Sequence, residues 1–313
     1  MGITYDTARY LINCYCSNSN SIIPKVNFTN TLTLGRQYYF PSKQKSMDLF
    51  QKKFLNNFTN TQLEGFFYEL QDITATSQQD YRYAEPFFRL LGASVVDALD
   101  YSDYEGANVI HDLTMQISDG LRNRYSCVID GGLLEHVYKY PAALKNAMDM
   151  VAIGGHIILI TPGNNWFGHG FYQLSPELFY SVLREENGFF DTKVLCCINH
   201  KFYLVKSPRD IHQRTEISPP KPLQLYVISK KVSDIPDVVN AYQSDYEDVW
   251  SGGNIEHAKS SRLHYFFETM SFKLPTPVRL FIRKVYQMMY YSKIMNQSHY
   301  KRMFSQVFQH VDL

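Results

Sequence analysis

Tyr125-Ser-Cys-Val-Ile-Asp130-Gly-Gly-Leu-Leu-Glu-His-Val137 opens the stretch that decides the fold, and Val151-Ala-Ile-Gly-Gly-His-Ile-Ile-Leu-Ile160 closes it. The first part is a short β-rich apolar run that ends in a carboxylate. Pro141 then suits the first turn of a helix, and Leu144, Ala147, Met148 and Val151 follow along one face. Gly154-Gly155 reads as the stop of that helix. His156 to Thr161 reads as the next strand. The whole is a strand–helix–strand unit, which crosses over right-handed when its strands are parallel.

The pattern extends outward in both directions. Residues 94–99 form a strand ending at Asp100, and residues 107–111 another ending at Asp112. Thr31 to Gln37 supplies a first strand and its turn. Short buried strands that each end in an acid predict a parallel sheet whose carboxyl ends line a cleft. Downstream, Thr192–Ile198, Lys201–Val205 and Leu223–Ser229 are β-rich and read as an antiparallel edge. The expected fold is α/β: a Rossmann-like, doubly wound, mostly parallel sheet. Residues of about 40–90 read as an inserted helical segment, with Leu49, Phe50, Phe54 and Phe58 on one helix and Tyr83, Phe87, Phe88 and Leu91 on another. That is more chain than a crossover requires, so part of it is expected to be an insertion that covers the cleft.

At 313 residues the chain suits one large domain with an appendage, here 1–250 followed by 251–313. Charge divides the same way. Residues 255–313 hold nine Lys/Arg against three Asp/Glu, or +6, whereas the remainder holds 22 against 27, or −5. Ser251-Gly252-Gly253-Asn254 precedes the basic part. Thr276 and Pro277 open a helix there, with Val278, Phe281, Ile282, Val285, Met288 and Met289 as its apolar stripe. The extension reads as a basic amphipathic helix packed on the main domain, with an anionic membrane surface or nucleic acid as sharper alternatives. The acidic core and the lack of any RNA-binding signature argue against nucleic acid. No uncharged apolar run approaches the ~20 residues of a membrane span. Five cysteines (Cys14, Cys16, Cys127, Cys196 and Cys197), an odd count, read as reduced thiols, with no signal peptide expected. The expected setting is the cytoplasm, with the basic tail touching the inner membrane face. Neither cysteine pair has zinc-site spacing, and no other ligand set is evident by spacing, so no metal is expected.

The 125–160 block, with its Leu-Glu-His-Val turn and Gly-Gly lead into the next strand, resembles class I S-adenosylmethionine-dependent methyltransferases. Residues 164–177, from Asn164-Asn165-Trp-Phe-Gly-His169-Gly-Phe-Tyr172 to Glu177, make it similar to a bacterial group associated with polysaccharide biosynthesis loci. The resemblance covers about residues 30–230. It implies S-adenosylmethionine as cofactor. It puts Asp100, with Tyr101 and Ser102 behind it, at the ribose, and Asp112 with Leu113 at the adenine. Asp130 and Gly131 fall in the turn beside the cofactor. The chain departs from the family at its first motif: the Gly-x-Gly turn is reduced to Gly35 alone, in Leu34-Gly35-Arg36-Gln37. Arg36 is a candidate clamp for the methionine carboxylate.

The reaction implied is O-methylation of a sugar or glycan precursor. Such a nucleophile must lose a proton, and His is the residue titrating near neutrality. His136, past the fourth strand, and His169, in a Gly-flanked loop, are the candidate bases. Tyr172 is a candidate substrate contact and Glu135 a candidate partner for a cation or substrate. Arg209 and Arg214 are candidates for an anionic substrate group. The alternative reading is a methyltransferase-like binding or assembly module that has lost its cofactor. An RNA methyltransferase using the basic tail is a third reading. An Asn/Asp-Pro-Pro-Tyr turn, which amine-methylating members carry after the fourth strand, is replaced here by Asp130-Gly131-Gly132-Leu133.

Overall fold

The computed structural model describes residues 2–71, 82–212, 215, 222–237, 241–251, 278 and 308–313. The chain divides into two compact units. One comprises Met1–Leu204, Ile217–Ala241 and His310–Leu313, and the other Val205–Glu216 and Tyr242–Gln309. The helix read from Thr276 onward lies outside the described residues, apart from Val278.

The first unit is built on a nine-stranded sheet. Its order is β12 (Phe308–Val311), β10 (Lys201–Val205), β9 (Phe189–Ile198), β11 (Gln224–Lys231), β8 (Val151–Pro162), β7 (Tyr125–Asp130), β2 (Asn30–Leu34), β5 (Val95–Asp100) and β6 (Val109–Ile110). From β2 the chain steps outward to β5 and β6, all parallel, then returns to the other side of β2 for β7 and β8. β11 inserts antiparallel between β8 and β9. The winding reverses between β2 and β7, and in such sheets the ligand crevice opens there, beyond the carboxyl ends of the strands. This is the doubly wound Rossmann-like architecture expected, antiparallel edge included. A small second sheet pairs β1 (Gly2–Ile3), β3 (Tyr38–Tyr39) and β4 (Arg82–Tyr83).

Helices cover the sheet because their apolar positions recur at helical spacing. α1 (Tyr5–Cys16) is capped by Thr4, whose hydroxyl accepts from Thr7 N–H at 3.2 Å, and buries Ala8, Leu11 and Ile12. α5 (Tyr140–Met150) begins with Pro141 in its first turn, buries Ala143, Leu144, Ala147 and Met148, and packs on β7 and β8. α6 (Pro176–Val182) packs against β9. In the second unit, α7 (Pro208–Ile211) meets α8 (Ser244–Trp250), and Arg209 pairs with Glu247. Arg209 is thus already neutralised, and Arg214 lies outside the described residues.

Three expectations change. The helical insertion is α2 (Lys43–Lys53), α3 (Asn60–Gln71) and α4 (Glu85–Leu90), and it forms a core layer. Phe50, Phe66, Phe87 and Phe88 share one buried cluster with Leu11, Cys127, Ile129 and Ile158. Their rings interlock, Phe50 against Phe66 at 5.6 Å and Phe66 against Phe87 at 6.4 Å. So much aromatic surface is more stable buried against the sheet than spread over a polar cleft. Tyr83 lies in β4, Phe54 at the end of α2 and Phe58 beyond it, so neither predicted stripe is one continuous helix. Next, Gly154-Gly155 does not end α5, which stops at Met150; it sits inside β8, where the pairing with β7 shifts register. Finally, the 107–111 strand contracts to Val109–Ile110. Asn108 keeps one backbone bond to β5, donating its N–H to Ala98 O at 3.1 Å, while its side chain accepts from Ala98 N–H at 2.7 Å and donates to Asp97 at 2.8 Å.

Candidate active site

The turn after β2 holds a single glycine, Gly35. Gly35 N–H is held by Leu99 O at 2.7 Å. Arg36 points toward the loop after β5: its Nε lies 2.6 Å from Glu85, Nη1 donates to Glu105 O at 2.9 Å, and the guanidinium stacks 3.5 Å over Tyr83. To hold a ligand carboxylate Arg36 would have to exchange Glu85 for it.

Gln37 turns the other way, toward β7. Its Nε2 donates to Leu34 O at 2.9 Å and Gly35 O at 3.1 Å, and its Oε1 is buried without a hydrogen-bond partner among the described residues. A Cβ on Gly131 would lie 2.2 Å from that oxygen, so the Gln37 amide packs directly against the glycine backbone. The amide thus spans from the end of β2 to the turn after β7, across the point where the winding reverses. Sequence reasoning passed over Gln37; its one signal was a polar residue two places after the turn glycine.

The acids of the neighbouring strands line up along the same edge. Asp100, at the end of β5, accepts from Tyr101 N–H at 2.6 Å. Tyr101 and Ser102 are exposed. Asp112 accepts from Thr114 N–H at 2.8 Å, and that bond holds its carboxyl below the ordinary range. Leu113 is buried, and its carbonyl accepts from Asn146 at 2.8 Å.

Beyond β7 the geometry is denser. Asp130 Oδ1 accepts from Gly132, Leu133 and Leu134 N–H at 3.2, 2.8 and 3.4 Å, which shapes the turn; its Oδ2 is buried and unpartnered among the described residues. Glu135 is buried, with Oε1 3.4 Å from His169 Nε2 and Oε2 likewise unpartnered. Burial pushes both carboxyls well up, and Asp130 rises further because Glu135 is near. His136 packs against His169, ring centres 4.9 Å apart, and burial pulls its imidazole down. The structure therefore joins His136 and His169, 33 positions apart in sequence, beside Glu135.

The loop after β8 reaches this point through Gly170. Its φ is +69°, and a Cβ there would lie 2.9 Å from Glu135 Cγ. Phe171 N–H then donates to Glu135 O at 2.8 Å, and Trp166 lies 5.3 Å from the His169 ring. Tyr172 is anchored: its hydroxyl donates to Tyr138 O at 2.6 Å and its ring packs on Tyr140. Tyr101, Tyr104, Tyr138, Phe167 and Phe171, all on loops at this edge, are largely exposed. A separate open cavity of about 340 Å³ lies beside Arg36, among Tyr68, Glu69, Tyr83, Glu85 and Arg89. The cavity's arginines are already paired, Arg36 with Glu85 and Arg89 with Glu69.

No protein-family model and no curated protein matches the chain. Among solved structures it is similar to an S-adenosylmethionine-dependent methyltransferase from Mesorhizobium loti, at 14% identity and a TM-score of 0.35, over 73% of this chain and 100% of that one. It is also similar to a methyltransferase of the same dependence from Archaeoglobus fulgidus, at 14% identity and a TM-score of 0.31, over 44% and 76%. A third is 1,6-didemethyltoxoflavin-N1-methyltransferase from Burkholderia thailandensis, with 1,6-didemethyltoxoflavin and S-adenosylhomocysteine bound, at 11% identity and a TM-score of 0.30, over 61% and 86%. The fold assignment itself rests on the strand order of this chain.

Proposed function

We propose that the chain is an S-adenosylmethionine-dependent O-methyltransferase acting on a hydroxyl of a sugar or glycan precursor. The observation that carries this reading is Gln37 Oε1, a buried acceptor with no partner among the described residues, at the reversal of the sheet. A buried acceptor without a donor costs about 1–3 kcal/mol, so it marks a place that a ligand donor satisfies. The ammonium of the cofactor's methionine portion is such a donor. Asp100 and Asp112 then stand at the ends of adjacent strands, suited to the ribose hydroxyls and the adenine. When bound, the cofactor supplies a methyl carbon made electrophilic by a sulfonium.

The chain's own residues then orient the acceptor and hold its proton. Exposed Tyr101, Tyr138, Phe167 and Phe171 offer flat faces to a sugar, and the His136–His169 pair beside Glu135 offers imidazoles where the hydroxyl proton must go. Titration calorimetry with S-adenosylhomocysteine tests the reading. Binding at micromolar level, about −8 kcal/mol, is expected, and Gln37→Ala weakens it about 10-fold, as the loss of one hydrogen bond to a charged donor implies.

A second reading is favoured by the same residue seen otherwise: Gln37 fills the turn and Arg36 is held by Glu85. In that case the fold is a binding module without cofactor. No heat at millimolar S-adenosylhomocysteine would establish it and reject the enzyme. The basic tail we assign to contact with the inner membrane face, where a lipid-linked acceptor resides. No helix among the described residues is long and apolar enough to cross a membrane.

A further inference from the structure

Glu135, His136 and His169 offer three ligand atoms that all lie within 4.8 Å of one another. The pair measured most closely, Glu135 Oε1 and His169 Nε2, is 3.4 Å apart. Two ligands each about 2.0–2.2 Å from one ion, at tetrahedral or octahedral angles, stand about 3–3.5 Å apart, so this pair needs no rearrangement to share one. The second oxygen of Glu135 is independent evidence. The side chain is 1% exposed, yet Oε2 has no hydrogen-bond partner among the described residues. A nearly buried carboxylate beside two imidazoles, with a lone pair left over, is the arrangement that a cation completes.

We infer that Glu135, His136 and His169 bind one divalent transition-metal ion, of the Zn²⁺, Fe²⁺, Co²⁺ or Mn²⁺ class. Two imidazoles and one carboxylate are the donor set such ions prefer over Mg²⁺ or Ca²⁺, which take oxygen almost alone. Both histidines are exposed, so the ion has a path in and keeps open positions toward solvent. The inference rests on the reading above that this cluster activates the acceptor hydroxyl, and it changes how. The hydroxyl oxygen takes an open position on the ion, its O–H bond breaks and the proton leaves to water. The oxygen keeps the electron pair for the new O–C bond to the methyl carbon, and the C–S pair returns to sulfur as the thioether. Bound water falls in pKa to about 7 on Zn²⁺, and a sugar hydroxyl is acidified on the same principle.

The test uses the full chain stripped with chelator and titrated with Co²⁺, followed by its visible absorption and by calorimetry. One ion per chain at micromolar affinity is expected. His169→Ala, at an exposed loop position, and Glu135→Gln should each weaken it by about 100-fold or more, since changes only to groups behind the ligands already cost 10–100-fold. Circular dichroism of His169→Ala confirms that the fold is kept; should Glu135→Gln unfold, His169→Ala alone decides. No saturable binding, or binding equal in wild type and His169→Ala, overturns the site and leaves the imidazoles as bases. S-Adenosylhomocysteine binding to the stripped chain is measured separately, so a failed cofactor and a failed metal site give different results.

Discussion

His156 shows what one buried side chain does to the pH response. It lies on β8, 5% exposed, and neither ring nitrogen has a hydrogen-bond partner among the described residues. Burial, helped by Lys230 and opposed by Asp191, pulls its imidazole from 6.5 down to about 4. The folded state therefore keeps it neutral while the unfolded state binds a proton. Stability present above pH 6.5 is lost as the pH falls toward 4, by up to about 3 kcal/mol. Urea midpoints between pH 7 and 4.5 should fall less steeply in His156→Leu than in the wild type; parallel curves would remove His156 from the account. Sequence makes His156 a strand residue and nothing more, because burial is a property of neighbours. The same holds at the site. Asp100, Asp112 and Asp130 are legible as strand-end acids, since their type and position are local. The meeting of His136 with His169 depends on Gly170 folding a loop onto Glu135, which no spacing rule encodes.

Among elements, β5 and β7 are tied by a polar knot that the apolar pattern conceals. Asp97 on β5 is 7% exposed and accepts from Asn108 at 2.8 Å, Tyr125 at 2.8 Å and Arg124 at 3.2 Å. Asp97→Ala removes the acceptor for three donors and should cost about 2–3 kcal/mol in denaturant unfolding; a cost under about 0.5 kcal/mol would show the knot to be incidental. The other long tie is Lys231 at the end of β11. Its ammonium is almost wholly buried, donating to Asn123 at 2.8 Å and Met148 O at 3.2 Å, with Asp234 at 3.0 Å. Lys231→Ala should lower stability by about 3 kcal/mol, whereas Lys231→Met, which keeps the stem, costs less. The strands β2, β5, β6 and β7 were legible because each is a short apolar run between polar breaks, whereas the start of β8 reads as the end of a helix. For the helical insertion, helical spacing gives the apolar face and not what that face meets, which is the buried core.

At the scale of the molecule, charge is the property that sequence states outright. The basic segment 255–313 carries +6 against −5 elsewhere. The full chain should sediment with vesicles containing anionic lipid and not with zwitterionic ones, and binding should weaken as salt shortens the Debye length from about 10 Å at 0.1 M. Changing Arg279, Arg283 and Lys284 to Glu should abolish it; undiminished binding would detach the tail from that role. The strand order has a temporal side as well. β8 ends at Pro162 and β9 begins at Phe189, yet the strand that joins them, Gln224–Lys231, is made later. While the chain is being synthesised, β8 has an open hydrogen-bonding flank until residue 231 clears the ribosome tunnel. A nascent chain stalled before Gln224 presents an apolar edge, Ile157 to Ile160, to any neighbour. Release of such a fragment in the cell calls for a chaperone.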